Sequence, residues 1–344
     1  MNPLRIEANS LNKIIINHRI TEKCNYKCPY CYFTDRNPIN LESDYDKIKT
    51  VFRNLEYVFE YYRNEGLKID YFLTGGEPSL YPISVYEPLF KAIEAGKINK
   101  LTLSTNFSAD PDWFIEFSKR CRDKTKFEIK AAFHPSDDTF EDYYERIAKV
   151  KDAPNSFVAH FTFDDSNFIG LDKLEKIKNL GVVLDVVLIH KKNKGSDYGK
   201  INVTSQDLLS LTTKSVNAEK KNYTIFYDDK SSEQVTKNYV KKMDFSTNCP
   251  QCYHTNITIM LNKIGVNCEY MRAMEKIDPN QWFDLGNENC SKAELYDYLT
   301  NDCVLKCDKH NCALGNNCAP RLLVFEKRGI WQKLKELFNK GKII

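Results

Sequence analysis

The chain has 344 residues, room for one large α/β domain and a smaller one. Its 50 Lys and Arg stand against 47 Asp and Glu, so no basic footprint argues for nucleic acid. The amino terminus, Met1-Asn2-Pro3-Leu4-Arg5-Ile6-Glu7, lacks a secretory apolar core, and no run approaches the ~18 apolar residues that span a bilayer. A soluble, cytoplasmic protein without a transmembrane segment is expected, and its 12 cysteines then read as metal ligands rather than disulfides.

Lys13 to Ile20 is a short β-branched stretch that reads as a strand, and Cys24, Cys28 and Cys31 fall in the loop just after it. Ser43-Asp44-Tyr45-Asp46 reads as a capping box, after which Tyr45, Ile48, Phe52, Leu55, Phe59 and Tyr62 recur at helical period up to Gly66. A strand from Lys68 to Thr74 ends in Gly75-Gly76-Glu77-Pro78. A helix is expected near 84–95, then a strand from Leu101 to Asn106, then a helix with Trp113, Phe114, Phe117 and Cys121 on one face. The strand Phe127 to His134 leads through Pro135-Ser136 into a helix around 139–149. Phe157 to Phe163 is another strand. Leu171, Leu174, Ile177 and Leu180 mark a helix stopped by Gly181, and Val182 to Ile189 forms a sixth strand. Strands alternating with helices in this way predict a parallel sheet with right-handed crossovers.

Beyond about residue 195 the rhythm breaks: Lys191 to Gly199 reads as a polar linker, and Asn217 to Ser246 is charged and irregular. Ile257, Ile259 and Leu261 then alternate before Asn262-Lys263-Ile264-Gly265, the pattern of a hairpin whose return strand ends at Cys268. Near the end, Trp331, Leu334, Leu337 and Phe338 line one face of an amphipathic helix expected to dock on its own domain.

The run Cys24-Asn25-Tyr26-Lys27-Cys28-Pro29-Tyr30-Cys31 sets three thiolates with three and then two residues between them. Three such thiolates can hold three irons of one [4Fe–4S] cube and leave the fourth without a protein ligand. An open coordination position is what a metal needs to act on a bound molecule. Loops at the carboxyl ends of strands form the active face of an α/β barrel, and this loop is one of them. At the turn ending the second strand, Gly75 and Gly76 let backbone approach a ligand closely, and the Glu77 carboxylate can accept hydrogen bonds from an ammonium group. Ser104, Thr105 and Asn106 end the third strand, and His134 with Ser136 ends the fourth. Polar side chains there either hold a ligand or satisfy loop backbone. His160 and His190 read as structural, and Cys121 as core.

The CxxxCxxC spacing, with Tyr30 in the aromatic position before the last cysteine and a GGEP turn about 45 residues on, resembles the radical S-adenosylmethionine (SAM) superfamily. The resemblance implies a partial, six-unit (β/α) barrel and a SAM-binding [4Fe–4S] cluster held by Cys24, Cys28 and Cys31. It places SAM's methionine amino group at Gly75, Gly76, Glu77 and Pro78, and its carboxylate and ribose at Ser104, Asn106, His134 and Ser136. It implies reductive cleavage of the SAM sulfonium bond and hydrogen abstraction by the resulting 5′-deoxyadenosyl radical, fed by a low-potential electron donor such as flavodoxin or ferredoxin.

Eight cysteines lie beyond position 240: Cys249, Cys252, Cys268, Cys290, Cys303, Cys307, Cys312 and Cys318. The CxxC pair Cys249 and Cys252 would suit structural zinc. The order cysteine, glycine-containing hairpin, cysteine, dense cysteine group also resembles the SPASM or twitch extension behind many radical SAM barrels. By that analogy Cys249, Cys252, Cys268 and Cys318 hold one auxiliary [4Fe–4S] cluster. A second, at Cys303, Cys307 and Cys312, would need Cys290, another side chain or an open position. The spacings from Cys303 to Cys318 differ from the full SPASM pattern, and no cysteine follows Cys318.

The expected fold is therefore α/β: a partial (β/α)6 TIM-type barrel over 1–200, a smaller cysteine-rich α+β domain over 201–328, and an amphipathic helix over 329–344. The expected activity is radical SAM modification of a peptide or protein. Only about a dozen residues precede the first expected strand, so an amino-terminal peptide-recognition domain is not expected. A dehydrogenase or epimerase acting on a sugar or other small metabolite is the alternative, and a zinc-stabilised, non-catalytic binding module the alternative of another class.

Overall fold

A computed structural model describes residues 3–8, 12–28, 31, 42–163, 169–188, 223–235, 250–254, 256–266, 282–301, 304–306 and 320–325. The chain opens with β1 (Pro3–Ala8), β2 (Lys13–Arg19) and the long helix α1 (Glu42–Asn64). Strand and helix then alternate: β3 (Lys68–Thr74), α2 (Glu87–Glu94), β4 (Lys100–Thr105), α3 (Pro111–Cys121), β5 (Lys126–Phe133), α4 (Phe140–Val150), β6 (Ser156–Phe163), α5 (Leu171–Asn179) and β7 (Val183–Leu188). Next come β8 (Tyr223–Tyr227), β9 (Ser232–Val235), β10 (Pro250–His254), β11 (Asn256–Met260), β12 (Lys263–Val266), β13 (Phe283–Asp284), α6 (Lys292–Asn301), β14 (Val304–Lys306) and β15 (Pro320–Phe325). The linker expected over 191–199 and the helix over 329–344 lie outside the described residues. No described helix is long and apolar enough to cross a membrane.

The contacts divide the chain into two units, one drawn from residues 18–53 and 70–216, the other from 1–17, 54–69 and 217–344. The first holds the strand–helix alternation from β4 onward, while β2, α1 and β3 are divided between the two units. Strands β2 to β7 lie side by side in sequence order, a six-stranded parallel arrangement consistent with a partial TIM-like barrel. Register is fixed from β4 to β7 by pairs such as Leu103↔Ile129, Ala131↔Ala159 and His160↔Asp185.

Side-chain alternation explains why these strands do not read as continuous apolar runs, the usual mark of parallel strands covered on both faces. In β5, Phe127, Ile129, Ala131 and Phe133 are buried, while Glu128, Lys130 and Ala132 between them are half-buried. The apolar set lies under the helices: Phe117 of α3 meets Phe127, and Tyr143 of α4 meets Phe133 and Phe161, at ring distances of 5.1–5.7 Å. The half-buried set lies on the sheet's other face, away from those helices.

Helix starts follow local chemistry. Asp110 caps α3 by accepting from Asp112 N, with Pro111 at the first helical position, and Thr139 caps α4 by accepting from Asp142 N. Ser43 departs from expectation: α1 begins at Glu42, so Ser43 sits inside the first turn and not at the N-cap. The helix expected near 84–95 opens as a 3-10 turn, Ile83–Tyr86, before α2.

In the second unit, β1 pairs antiparallel with both β8 and β15, giving the sheet order β14-β10-β15-β1-β8-β9. Arg5 lies opposite Val324 and Phe226, so β1 sits between β15 and β8 within one sheet. The expected hairpin is β11 and β12, with Ile259 opposite Ile264 and Ile257, Ile259, Ile264 and Val266 buried. Its turn residue Leu261 is exposed and has φ 59°, so it does not continue the buried alternation. Asn54 of α1 donates from Nδ2 to the carbonyls of Leu285 (2.8 Å) and Asn287 (2.9 Å), pinning that loop.

Candidate cofactor site

Pairing between β2 and β3 continues into the loops that follow both strands. Ile20 N donates to Thr74 O (2.9 Å), Gly76 N to Thr21 O (2.7 Å) and Glu77 N to Lys23 O (2.8 Å). The GGEP turn is thus laddered against the residues immediately before Cys24. The two glycines make that approach possible. A Cβ on Gly75 would lie 2.6 Å from Thr21 O, and one on Gly76 only 2.1 Å from Lys23 O. The close approach expected here is met by backbone on backbone.

Glu77 is fully buried, and protein donors reach both of its oxygens. Oε1 accepts from Ser79 N (2.8 Å), Ser79 Oγ (2.6 Å) and Thr105 Oγ1 (2.7 Å), and Oε2 accepts from Asn106 N (2.5 Å). Three donors converge on Oε1, whereas Oε2 takes one and keeps acceptor capacity. Burial pushes the carboxyl upward from its ordinary value, and the donors from Ser79, Thr105 and Asn106 pull it back. Glu77 is a tie between the GGEP turn and the end of β4. Thr105, which the sequence placed only at a strand end, belongs to it.

The cysteine loop is anchored on two further strand ends. Cys24 Sγ accepts from Tyr26 N (3.4 Å) and Asn106 Nδ2 (3.6 Å). Asn106 Nδ2 also donates to Asn25 Oδ1 (2.9 Å), and Asn25 Nδ2 donates to Ser108 Oγ (2.9 Å). On the other side, Cys28 is buried with Sγ 3.2 Å from His134 Nδ1, and Lys27 N donates to Asp137 Oδ1 (2.8 Å). The Tyr26 ring stands edge-on to His134, centroids 5.7 Å apart at 82°. The Tyr26 hydroxyl bonds Asp138, which is itself paired with Arg146. Cys31 N donates to Cys28 O (3.1 Å). Burial pushes the Cys24 thiol up, opposed by the Tyr26 and Asn106 donors, and lowers His134 to about 4, partly offset by Asp137.

Three thiols on one loop, with two N–H groups donating to Cys24 and a ring nitrogen beside Cys28, fit an iron–sulfur cluster. Among the described residues no three His, Cys, Asp or Glu side chains converge to single-ion distances. A cube needs no such convergence, because each thiolate meets a different iron.

The other expected residues fall as follows. Pro78 is buried and opens the 3-10 turn Pro78–Leu80, its carbonyl accepting from Tyr86 Oη (2.7 Å). Ser104 is half-buried on the polar face of β4. Ser136 is exposed, and its hydroxyl donates to Asp137 Oδ2 (2.6 Å). Cys252 lies on β10, opposite Leu305 and Leu323. Cys249, Cys268, Cys303, Cys307, Cys312, Cys318, Pro29, Tyr30 and His190 lie outside the described residues. Cys290 is half-buried just before α6, and Cys121 is fully buried on α3.

One group was missed by the sequence reading. On the inner face, Lys130 Nζ lies 2.8 Å from Asp185 Oδ2, which also meets His160 Nδ1 at 3.1 Å, and His160 Nε2 meets Thr162 Oγ1 at 3.1 Å. Asp185 is buried, yet its carboxylate is matched by a cation and a ring N–H. Below them, Glu128 takes Lys100 (3.0 Å) and Thr102 (3.1 Å). The signal was present in the alternation: Glu128, Lys130, His160, Thr162 and Asp185 all fall on strand positions between apolar, helix-covered ones.

Residues 19–162 match the family model described as the Radical SAM superfamily. No curated protein matches the chain. Among solved structures it is similar to coproporphyrinogen III oxidase (HemN) from Escherichia coli, a radical SAM enzyme, with TM-score 0.40 and 11% identity over 58% of this chain and 51% of that one. It is also similar to Streptococcus suis SuiB bound to its precursor peptide SuiA, with TM-score 0.37 and 14% identity over 51% of this chain and 39% of that one. For 3-dehydroquinate dehydratase from Geobacillus kaustophilus HTA426 the values are 0.30 and 8%, over 61% and 96%. The chain spans about half of HemN and less of SuiB, and likenesses this distant carry nothing about activity. The family match makes residues 19–162 a radical SAM domain.

Proposed function

We propose, from the radical SAM domain at residues 19–162, that the chain is an enzyme that uses a [4Fe–4S] cluster at Cys24, Cys28 and Cys31 together with SAM held beside it. The observation that carries this reading is the backbone ladder from Ile20 to Glu77, which fixes the GGEP turn against the cysteine loop. When bound, the cluster and SAM supply reductive cleavage of the sulfonium bond and hydrogen abstraction from a substrate. This chain's residues bind, orient and exclude water. Gly75, Gly76, Glu77 and Pro78 hold the methionine amino end of SAM, and Ser104, Asn106, His134 and Ser136 line the adjoining strand ends.

The finer reading is modification of a peptide or protein with one auxiliary [4Fe–4S] cluster at Cys249, Cys252, Cys268 and Cys318. Its support is the eight cysteines beyond position 240, with Cys303, Cys307 and Cys312 available for a second cluster. The Lys130–Asp185–His160 group supports a polar substrate, since a charged wall recognises hydrogen-bonding partners and repels apolar ones.

The test is anaerobic. Reconstituted protein given dithionite and SAM is expected to release 5′-deoxyadenosine and to contain iron and sulfide at about four per cluster. A peptide substrate is expected to lose two hydrogens or to change stereochemistry by mass spectrometry. Zinc alone, with intact SAM recovered, would overturn the proposal.

A further inference from the structure

His134 directly follows β5 beside the cysteine loop, and both its backbone and its ring are engaged. Its carbonyl accepts from both Asp137 N and Asp138 N (3.0 Å each), which fixes the backbone. The Tyr26 ring meets it edge-on, and Nδ1 lies 3.2 Å from Cys28 Sγ. A thiolate bound to iron accepts hydrogen bonds and donates none, so the nitrogen facing it must carry a hydrogen. The ring thus has two neighbours on the cysteine loop, Tyr26 and Cys28.

We infer that His134 is a positioning residue for the cluster: its Nδ1–H donates to Cys28 Sγ and raises the cluster's reduction potential. The inference rests on the reading of Cys28 as a cluster ligand. An N–H dipole aimed at a ligand sulfur stabilises the reduced, more negative state over the oxidised one. Cys24 has its own donors in Tyr26 N and Asn106 Nδ2, so two thiolates of the triplet receive hydrogen bonds from opposite sides of the loop. The consequence is functional. A cluster that must be reduced before SAM can be cleaved accepts an electron from a weaker donor when its sulfurs are hydrogen-bonded. The resemblance instead puts His134 on SAM, and the two roles separate because this one operates with no SAM present.

The experiment uses the full chain, reconstituted anaerobically without SAM, and follows reduction by EPR during a potentiometric titration. The signal of interest is the one that Cys28→Ala removes, which sets aside any auxiliary cluster. His134→Asn keeps a donor where Nδ1 stands, and His134→Leu has similar size without it. The midpoint of His134→Leu is expected to fall below that of wild type, with His134→Asn restoring most of the difference. Equal midpoints for wild type and His134→Leu would overturn the inference. Should His134→Leu fail to take up iron, ENDOR on wild type labelled with 15N-histidine decides. A histidine nitrogen coupled to the reduced cluster, and lost in His134→Asn, supports the hydrogen bond, and no coupling overturns it. If wild type holds zinc alone, this inference and the proposed function fall together; a cluster with an unmoved midpoint removes His134 only.

Discussion

Cys28→Ala is expected to empty the cluster site and to reduce 5′-deoxyadenosine formation by more than about 100-fold. Outer-shell partners of metal ligands are already worth ~10–100-fold, and a missing ligand thiolate exposes an iron outright. Cys28 is 7% exposed, so water has poor access to replace the sulfur. Its neighbour His134 would be left facing an empty site. Cys121→Ala is the matched control: that thiol is fully buried on α3, and its removal should cost stability while leaving iron content unchanged. Iron analysis and product quantification on the two variants check the prediction, and Cys28→Ala protein with wild-type turnover would contradict it.

Gly76→Ala is expected to damage the same site without touching a ligand. The added Cβ would lie 2.1 Å from Lys23 O and 2.6 Å from Lys23 C, both backbone atoms that cannot swing aside. The ladder must part, which sacrifices the bonds from Gly76 N to Thr21 O and from Glu77 N to Lys23 O. Overpacking at ~1–3 kcal/mol and two buried hydrogen bonds at ~1 kcal/mol each give a loss of about 3–5 kcal/mol. Roughly 6–20 °C of melting temperature should go with it. Glu77 moves with the turn, so Ser79, Thr105 and Asn106 lose their acceptor. Gly66→Ala is the comparison, with φ 74° but nothing within 4 Å of its Cβ, and only the ~1 kcal/mol of a left-handed alanine applies. Thermal melts and iron content should separate the two variants. Equal stability and iron content would show that the ladder does not hold the loop.

What the sequence made legible was local. The cysteine spacing and the GGEP turn are written within a few residues each; the strands from β3 to β6 announced themselves through apolar positions at period two, and β7 through an apolar run broken only by Asp185. What stayed hidden depends on partners distant in sequence. Nothing near Glu77 says that Thr105 and Asn106, at the end of β4, donate to its carboxylate. His160 looked structural because a lone histidine has no signature, and Asp185 reaches it only through the β6–β7 register. β1 was unrecognised for the same reason, since Arg5 finds Val324 from the far end of the chain. The stretch judged irregular after Asn217 contains the short antiparallel pair β8 and β9, too brief for a periodic signal.

The most direct measurement is the EPR spectrum of the reduced, full-length protein before and after SAM is added. With Cys24, Cys28 and Cys31 holding three irons, the fourth is available to the nucleotide, and the signal is expected to change shape and g values. A spectrum identical with and without SAM, from protein that contains the cluster, would contradict the account.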